Sequence, residues 1–383
     1  MDLRRLGEVG FLRELVRRHR ALMPPPPAGP GDDAALVGDL LLTADALIEG
    51  EHFLPAEPAF LTGRKSLAVN LSDIAAMGGS PRSFLLCLGL PPATPGAFLD
   101  ALMAGVASMA FEHGVAWSGG DTVRSRKGIV IAITAVGERG PRVLTRGGAR
   151  VGDGIYVTGP LGASAAGRAL LAAGWIVGVS SRGSGRSRRL PDDPSGASRW
   201  RSLPAARAAA RLLPFVRAPR RTTRARPDRK EMRAAAEILA AHLDPVPRLG
   251  AGRFLSRRRA ASAAIDISDG LSLDLHRICE ASGTGALIHE EAIPISHATR
   301  AWAKRAGWDP LGLALDGGED YEILFTAPPG AERVLLRWPL ADGTDPILIG
   351  RIRPRREGIH LLDARGRKRI LPPGGYDPFL RPR

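Results

Sequence analysis

Ala68-Val69-Asn70-Leu71-Ser72-Asp73-Ile74-Ala75-Ala76-Met77-Gly78 is an apolar run interrupted by Asn70, Ser72 and Asp73. Its length and spacing predict a helix over Arg64 to Met77, with Asn70 and Asp73 sharing one face. A buried carboxylate without a partner costs several kcal/mol, so Asp73 on an otherwise apolar helix calls for a functional reason.

Four further acidic clusters lie beside glycine or small residues: Gly31-Asp32-Asp33, Thr43-Ala44-Asp45, Gly119-Gly120-Asp121 and Asp266-Ile267-Ser268-Asp269-Gly270. Taken alone, an aspartate after a glycine is most often a turn former or a helix cap. Several together, in a chain of formal charge +15, suit hard divalent cations held beside a phosphate. Mg²⁺ takes oxygen ligands and meets protein through one or two carboxylates per ion plus the nucleotide's own oxygens.

The 383 residues can bury a substantial core and allow two domains. Cys87 and Cys279 stand singly in apolar stretches and read as two core residues of a reduced, cytoplasmic protein. No histidine pair has metal-ligand spacing, and no apolar run reaches the ~20 residues of a membrane span. Met1 to Arg20 reads as an amphipathic helix and not as a secretory signal.

Most of the basic charge is local. Ile176 to Lys230 holds fifteen Arg and Lys against three Asp, leaving a surplus of only three positive charges for the rest of the chain. With no sustained apolar period, this stretch is expected to be a solvated, disordered insertion with one short helix near Pro204 to Leu213. Only Trp200 and Phe215 are available there to stack on bases, so nucleic acid is not the expected partner.

Elsewhere strands and helices alternate. Leu40 to Ala44, Ser83 to Leu88, Ile129 to Val136 and Ile155 to Thr158 read as strands, with helices at Arg64 to Met77 and Ala97 to His113. Beyond them, helices are expected at Gly162 to Leu171, Glu231 to His242, Leu271 to Ala281 and Ala331 to Trp338. Strands are expected at Ala263 to Ile267, Gly285 to His289, Tyr321 to Thr326 and Ile347 to Ile352. Glycines near Arg150 mark a domain junction, giving an N-terminal unit 1–150 and a C-terminal unit 151–383. Gly63-Arg64-Lys65-Ser66 lacks the second glycine and the Gly-Lys adjacency of a phosphate-binding loop, and no G-x-G-x-x-G turn or protein-kinase motif is present.

Six motifs in order nevertheless resemble one family, thiamine-monophosphate kinase: Gly31-Asp32-Asp33-Ala34-Ala35, the Ala68 to Gly78 run, Gly119-Gly120-Asp121-Thr122, Leu144-Thr145-Arg146-Gly147-Gly148-Ala149, Ile265 to Leu271 and Gly318-Glu319-Asp320-Tyr321-Glu322. The likeness spans nearly the whole chain outside Ile176 to Lys230. It implies an α/β fold of the aminoimidazole-ribonucleotide synthetase type. In that fold the N-terminal α/β domain pairs strands with its twin in a homodimer, and a C-terminal α/β domain folds over the nucleotide. The implied reaction converts ATP and thiamine monophosphate to ADP and thiamine diphosphate by direct, Mg²⁺-assisted transfer.

Carried over position by position, the resemblance implies Asp33, Thr43, Asp45, Asp73, Asp121, Asp266 and Asp269 as Mg²⁺ ligands. It implies Gly120, Asp121, Arg146 and Ser268 at the nucleotide, and His52, Glu319 and Tyr376 at thiamine monophosphate. Asp32, Asp316 and Asp320 are candidates for support. Two departures stand out: Ala44 where the family usually has a hydroxyl residue, and the basic insertion. The competing readings are a selenophosphate synthetase, an aminoimidazole-ribonucleotide synthetase or a hydrogenase-maturation protein, and an inactive nucleotide-binding protein whose basic insertion contacts nucleic acid.

Overall fold

A computed structural model of the chain describes residues 3–19, 31–177, 216–219, 227–338 and 345–379. The first described elements are helix α1 (Leu3–His19), strands β1 (Ala35–Val37) and β2 (Leu40–Ile48), α2 (Ala59–Ala76), β3 (Ser80–Leu90), α3 (Gly96–His113), β4 (Ala116–Arg124) and β5 (Val130–Glu138). Next come β6 (Gly154–Val157), α4 (Ala163–Ala172), β7 (Ile176–Val177), β8 (Val216–Arg217), α5 (Arg229–Leu243), α6 (Leu249–Arg258), β9 (Ala263–Asp266), α7 (Leu271–Ser282) and β10 (Thr284–His289). The last are α8 (His297–Ala306), α9 (Pro310–Asp316), β11 (Ile323–Ala327), α10 (Glu332–Leu335), β12 (Ile347–Pro354), β13 (Ile359–Leu362) and β14 (Lys368–Ile370).

Two large sheets organise these elements. The first runs β1-β2-β5-β3-β4 and the second β14-β13-β10-β12-β6-β11-β9. Neighbours in the first are antiparallel except β3 and β4. Side chains alternate across β2, β3 and β5, so Leu41, Leu47, Leu86, Ile131 and Ile133 are buried on one face and Leu85 is exposed on the other, while edge strand β4 is exposed along nearly its whole length, Trp117 and Val123 included.

Helix α2 is buried along nearly its whole length, its polar residues Arg64, Lys65, Asn70 and Ser72 included. It packs on α3, β2 and β5 and also on α6 and β9, and so joins the two sheets. Its approach to α3 depends on glycine: a Cβ on Gly63 would lie 2.0 Å from the Leu102 carbonyl oxygen, and one on Gly105 would lie 1.9 Å from that of Phe60.

Most expected elements are present, with four differences. Gly119-Gly120-Asp121 lies within strand β4 rather than at a turn, and Gly120 is required there because a Cβ would sit 1.7 Å from the Leu86 carbonyl oxygen on β3. Cys87 is exposed, since alternation along β3 turns it away from the core, whereas Cys279 is buried. The helix expected over Ala331 to Trp338 shrinks to Glu332–Leu335. The fourth difference concerns the ends of the basic stretch: Ile176–Val177 pairs with Val216–Arg217, and α5 begins at Arg229 on a capping box of Asp228 and Glu231. The helix expected near Pro204 to Leu213 lies outside the described residues. Among those residues, no helix is long and apolar enough to cross a membrane.

Candidate active site

Three carboxylates from distant parts of the chain converge. Asp33 precedes β1, Asp73 lies in the last turn of α2 and Asp266 ends β9; one oxygen of each lies within 4.8 Å of the others. Ser72 Oγ donates to Asp266 Oδ2 at 2.7 Å, and the Thr43 hydroxyl donates to Asp73 Oδ2. Asn70 receives the Asp45 amide at 3.1 Å and donates to the Ser66 carbonyl at 3.0 Å, tying β2 to α2.

The carboxyls of this cluster are raised by burial and by one another. Burial, followed by the charges of Asp45, Asp266 and Asp33, raises the Asp73 carboxyl well above its usual range. Burial and then Asp33 do the same to Asp266. Asp45 is pushed up to about 6 by burial, then by Asp269 and Asp33. Arg146 offsets part of this charge: its guanidinium reaches Asp33 Oδ1 at 2.6 Å, and its amide donates to Asp32 at 2.8 Å. Asp33 Oδ2 is buried without a hydrogen-bond partner. An orphaned acceptor among mutually repelling carboxylates fits a hard divalent cation, which takes oxygen ligands.

Asp269 stands beside this group on the turn between β9 and α7. Arg277 bridges Asp269 Oδ2 at 2.6 Å and Asp274 Oδ1 at 2.7 Å. The other Asp274 oxygen accepts the Asp269 and Gly270 amides, both at 3.2 Å, and so fixes the turn.

The residues expected at thiamine monophosphate gather in a second group. The His52 and Tyr376 rings stand edge to face at 6.5 Å. His52 Nδ1 accepts the Ile48 amide at 3.1 Å, which leaves Nε2 to carry the proton in the neutral ring that burial favours. Glu319 meets Lys65 Nζ at 2.7 Å and His242 Nδ1 at 3.4 Å. Burial opposes ionisation of Glu319, but Lys65 and His242 outweigh it and hold the carboxyl at about 2. The Tyr376 amide donates to the Asp269 carbonyl at 2.9 Å, and the Glu319 amide to that of Ser268 at 2.7 Å, so both abut the turn that carries Asp269.

Gly120 and Asp121 stand apart from Asp45 across the first sheet. Asp45 pairs with Ile133, Ile133 with Leu86 and Leu86 with Gly120, so three strand spacings, roughly 14 Å, separate Asp45 from Gly120. Asp121 is exposed, and its carboxylate accepts the Thr122 amide at 2.8 Å. Of the supporting candidates, Asp316 accepts the Ser272 hydroxyl, and Asp320 accepts the Gly162 amide at 2.8 Å at the start of α4.

Sequence reasoning passed over Lys65, His242, Asp274 and Arg277. Asn70 and Ser72 were within reach, since they interrupt the same apolar run as Asp73. Nothing local in the sequence marks Lys65 or His242, because their partner Glu319 is far away in the chain.

Residues 31–139 match the family described as AIR synthase related protein, N-terminal domain. The thiamine-monophosphate kinase of Salmonella typhimurium is 34% identical over 328 residues, which cover 84% of this chain and 83% of that protein. The chain belongs to the thiamine-monophosphate kinase family. The family's Escherichia coli K12 member is 32% identical over 98% of this chain and 99% of its own length. Among solved structures, AaThiL complexed with AMPPCP and TMP superposes with a TM-score of 0.74 at 27% identity, covering 99% of each chain. Hydrogenase maturation protein HypE in complex with ATP, 18% identical with a TM-score of 0.61 over 99% of each chain, shares the fold. The architecture is thus the mixed α/β, aminoimidazole-ribonucleotide synthetase-like fold.

Proposed function

We propose that this kinase transfers the γ-phosphoryl group of ATP to thiamine monophosphate, giving ADP and thiamine diphosphate, at the junction of α2, β9 and the segment before β1. The observation that carries the reading is the meeting of Asp33, Asp73 and Asp266 around the orphaned Asp33 Oδ2, in a chain of this family.

Asp33, Asp73 and Asp266 would hold Mg²⁺, with Thr43, Asp45 and Asp269 beside them. Bound Mg²⁺ supplies positive charge for the oxygens on which charge builds during transfer. Arg146, held by Asp32 and Asp33, is the planar donor suited to a nucleotide phosphate, and Ser268 lies on the adjoining turn. Roles for Gly120 and Asp121 at the nucleotide rest on the resemblance alone. The acceptor is a phosphate oxygen of the substrate, so alignment suffices and no protein nucleophile is required.

His52, Tyr376 and Glu319 supply the acceptor's pocket. The Glu319 carboxylate complements the cationic thiazolium, an aromatic ring adds roughly 0.5–2 kcal/mol toward such a cation, and His52 Nε2–H is an available donor. We further propose a cytoplasmic homodimer, with a domain division near Arg150. The division is supported by the two sheets, drawn from either side of that residue. A second copy is the occupant we assign to the exposed face of the first sheet, where Leu85 on β3 and Val123 on β4 stand.

The test is ADP formation that requires both Mg²⁺ and thiamine monophosphate, repeated with Asp266→Asn, for which kcat is expected to fall at least about a hundredfold. ATP binding without turnover of thiamine monophosphate would defeat the proposal.

A further inference from the structure

We infer that Lys65 is a positioning residue for the acceptor: from the interior of α2, its ammonium fixes Glu319 and the His52 segment in one geometry. The inference deepens the proposed function and rests on it.

Lys65 is fully buried, as few side chains of its size in the described structure are. A buried ammonium is costly unless each of its donors finds an acceptor. Lys65 Nζ lies 2.7 Å from Glu319 Oε1 and donates to the His52 carbonyl at 3.2 Å. Both partners belong to the segments assigned to thiamine monophosphate. One cation on a rigid helix therefore ties together two loops that are 267 positions apart in the chain.

Glu319 needs such a hold. Its backbone is left-handed, with φ of 55°, and Tyr321 two residues on has φ of 51°. Neither is a glycine, and a strained backbone persists only where its surroundings over-determine it. The Glu319 amide is pinned to the Ser268 carbonyl at 2.7 Å and the Tyr321 amide to that of Ile267 at 2.9 Å, so the loop's backbone is locked to the turn that carries Asp269. The carboxylate remains to be aimed. Lys65 takes one oxygen, and the other faces His242 Nδ1 at 3.4 Å. His242 Nδ1 is in turn fixed by Ser164 Oγ at 3.0 Å. Lys65 reaches Glu319 from within the protein, and Glu319 keeps part of its surface open to solvent, which leaves it free to meet a ligand.

The experiment is a mutant cycle with Lys65→Met, Glu319→Gln and the double variant, reading KM separately for thiamine monophosphate and for ATP. Lys65→Met is expected to raise KM for thiamine monophosphate about tenfold or more, the scale of losing a charge-assisted hydrogen bond, with KM for ATP within about twofold. The double variant should fall clearly short of the summed single effects, because Lys65 acts in part through that carboxylate and in part through the His52 carbonyl. An unchanged KM for thiamine monophosphate in folded Lys65→Met, or additive effects in the double variant, overturns the inference. If Lys65→Met alone does not fold, recovery of folding in the double variant shows that Lys65 answers the Glu319 charge and upholds it. A double variant that also fails to fold makes Lys65 a packing residue and overturns it. Should the unaltered protein not phosphorylate thiamine monophosphate, the proposed function itself falls, whatever Lys65 does.

Discussion

Replacing Asp73 by asparagine separates the cost of the carboxylate cluster from its use. Asp73, Asp33 and Asp266 bring oxygens within 4.8 Å of one another. At an effective dielectric constant near 20, two unit charges that far apart repel by about 3 kcal/mol. Proton uptake caps the cost, because burial and its neighbours' charges raise the Asp73 carboxyl well above its usual range, and Arg146 compensates Asp33. The net relief from removing one charge is therefore about 1–3 kcal/mol. Asparagine keeps a carbonyl oxygen for the Thr43 hydroxyl and adds an amide that the neighbouring carboxylates can accept. For a chain of 383 residues, 1 kcal/mol moves Tm by about 1.2 °C, so Asp73→Asn should melt about 1–4 °C above the unaltered protein in EDTA. Adding Mg²⁺ with AMPPCP should raise Tm of the unaltered protein and leave that of the variant almost unmoved. The readout is thermal unfolding with and without metal and nucleotide. A variant that melts lower in EDTA refutes the repulsion, and one that keeps the full Mg²⁺-dependent rise refutes the shared cation site.

Three other outcomes are expected. Gly105→Ala forces a Cβ to 1.9 Å from the Phe60 carbonyl oxygen and should cost about 1–3 kcal/mol or more in chemical denaturation, whereas Gly96→Ala, with open space around it, should cost almost nothing. Burial, aided by Lys65 and opposed by Glu319, holds the His242 imidazole down at about 3, against 6.5 unfolded. The unfolded chain thus takes the proton first: the stability owed to a neutral His242 is complete above about pH 6.5 and drains away as pH falls toward 3, by at most about 5 kcal/mol, so His242→Gln should flatten stability between pH 6.5 and 4. Val123→Lys places a charge on the exposed face of the first sheet and should convert the proposed dimer to monomer in sedimentation velocity at micromolar concentration; an unchanged dimer would move the interface elsewhere.

The site was legible where the chemistry is local. Asp73 could be singled out because a carboxylate on an apolar helix is expensive, and Asp266 with Asp269 because the strand before them and the helix after them carry plain apolar periodicity. Apart from Arg146, its counter-charges were not legible. Lys65 sits in a stretch that superficially resembles a phosphate loop, and only the fold shows that the stretch is helix interior, with Arg64 paired to Asp244 at 2.7 Å and Lys65 to Glu319 at 2.7 Å. The strand character of β4 was hidden for a related reason: two successive glycines signal a turn in sequence, yet Gly120 answers to the nearness of the Leu86 carbonyl across the sheet. Alternation then turned Cys87 and Asp121 outward, a consequence of register that composition does not reveal.

Helix α2 carries Lys65 toward one end and Asp73 toward the other. Eight residues of α-helix advance about 12 Å. In the proposed arrangement the acceptor's anchor and the donor's metal ligand are thus mounted on a single rod, which gauges the gap that the transferred group must cross. Adding or removing one residue between Ser66 and Ser72 would change that gap by about 1.5 Å and swing one mount about 100° around the axis, leaving every side chain chemically intact and the two reactants out of register.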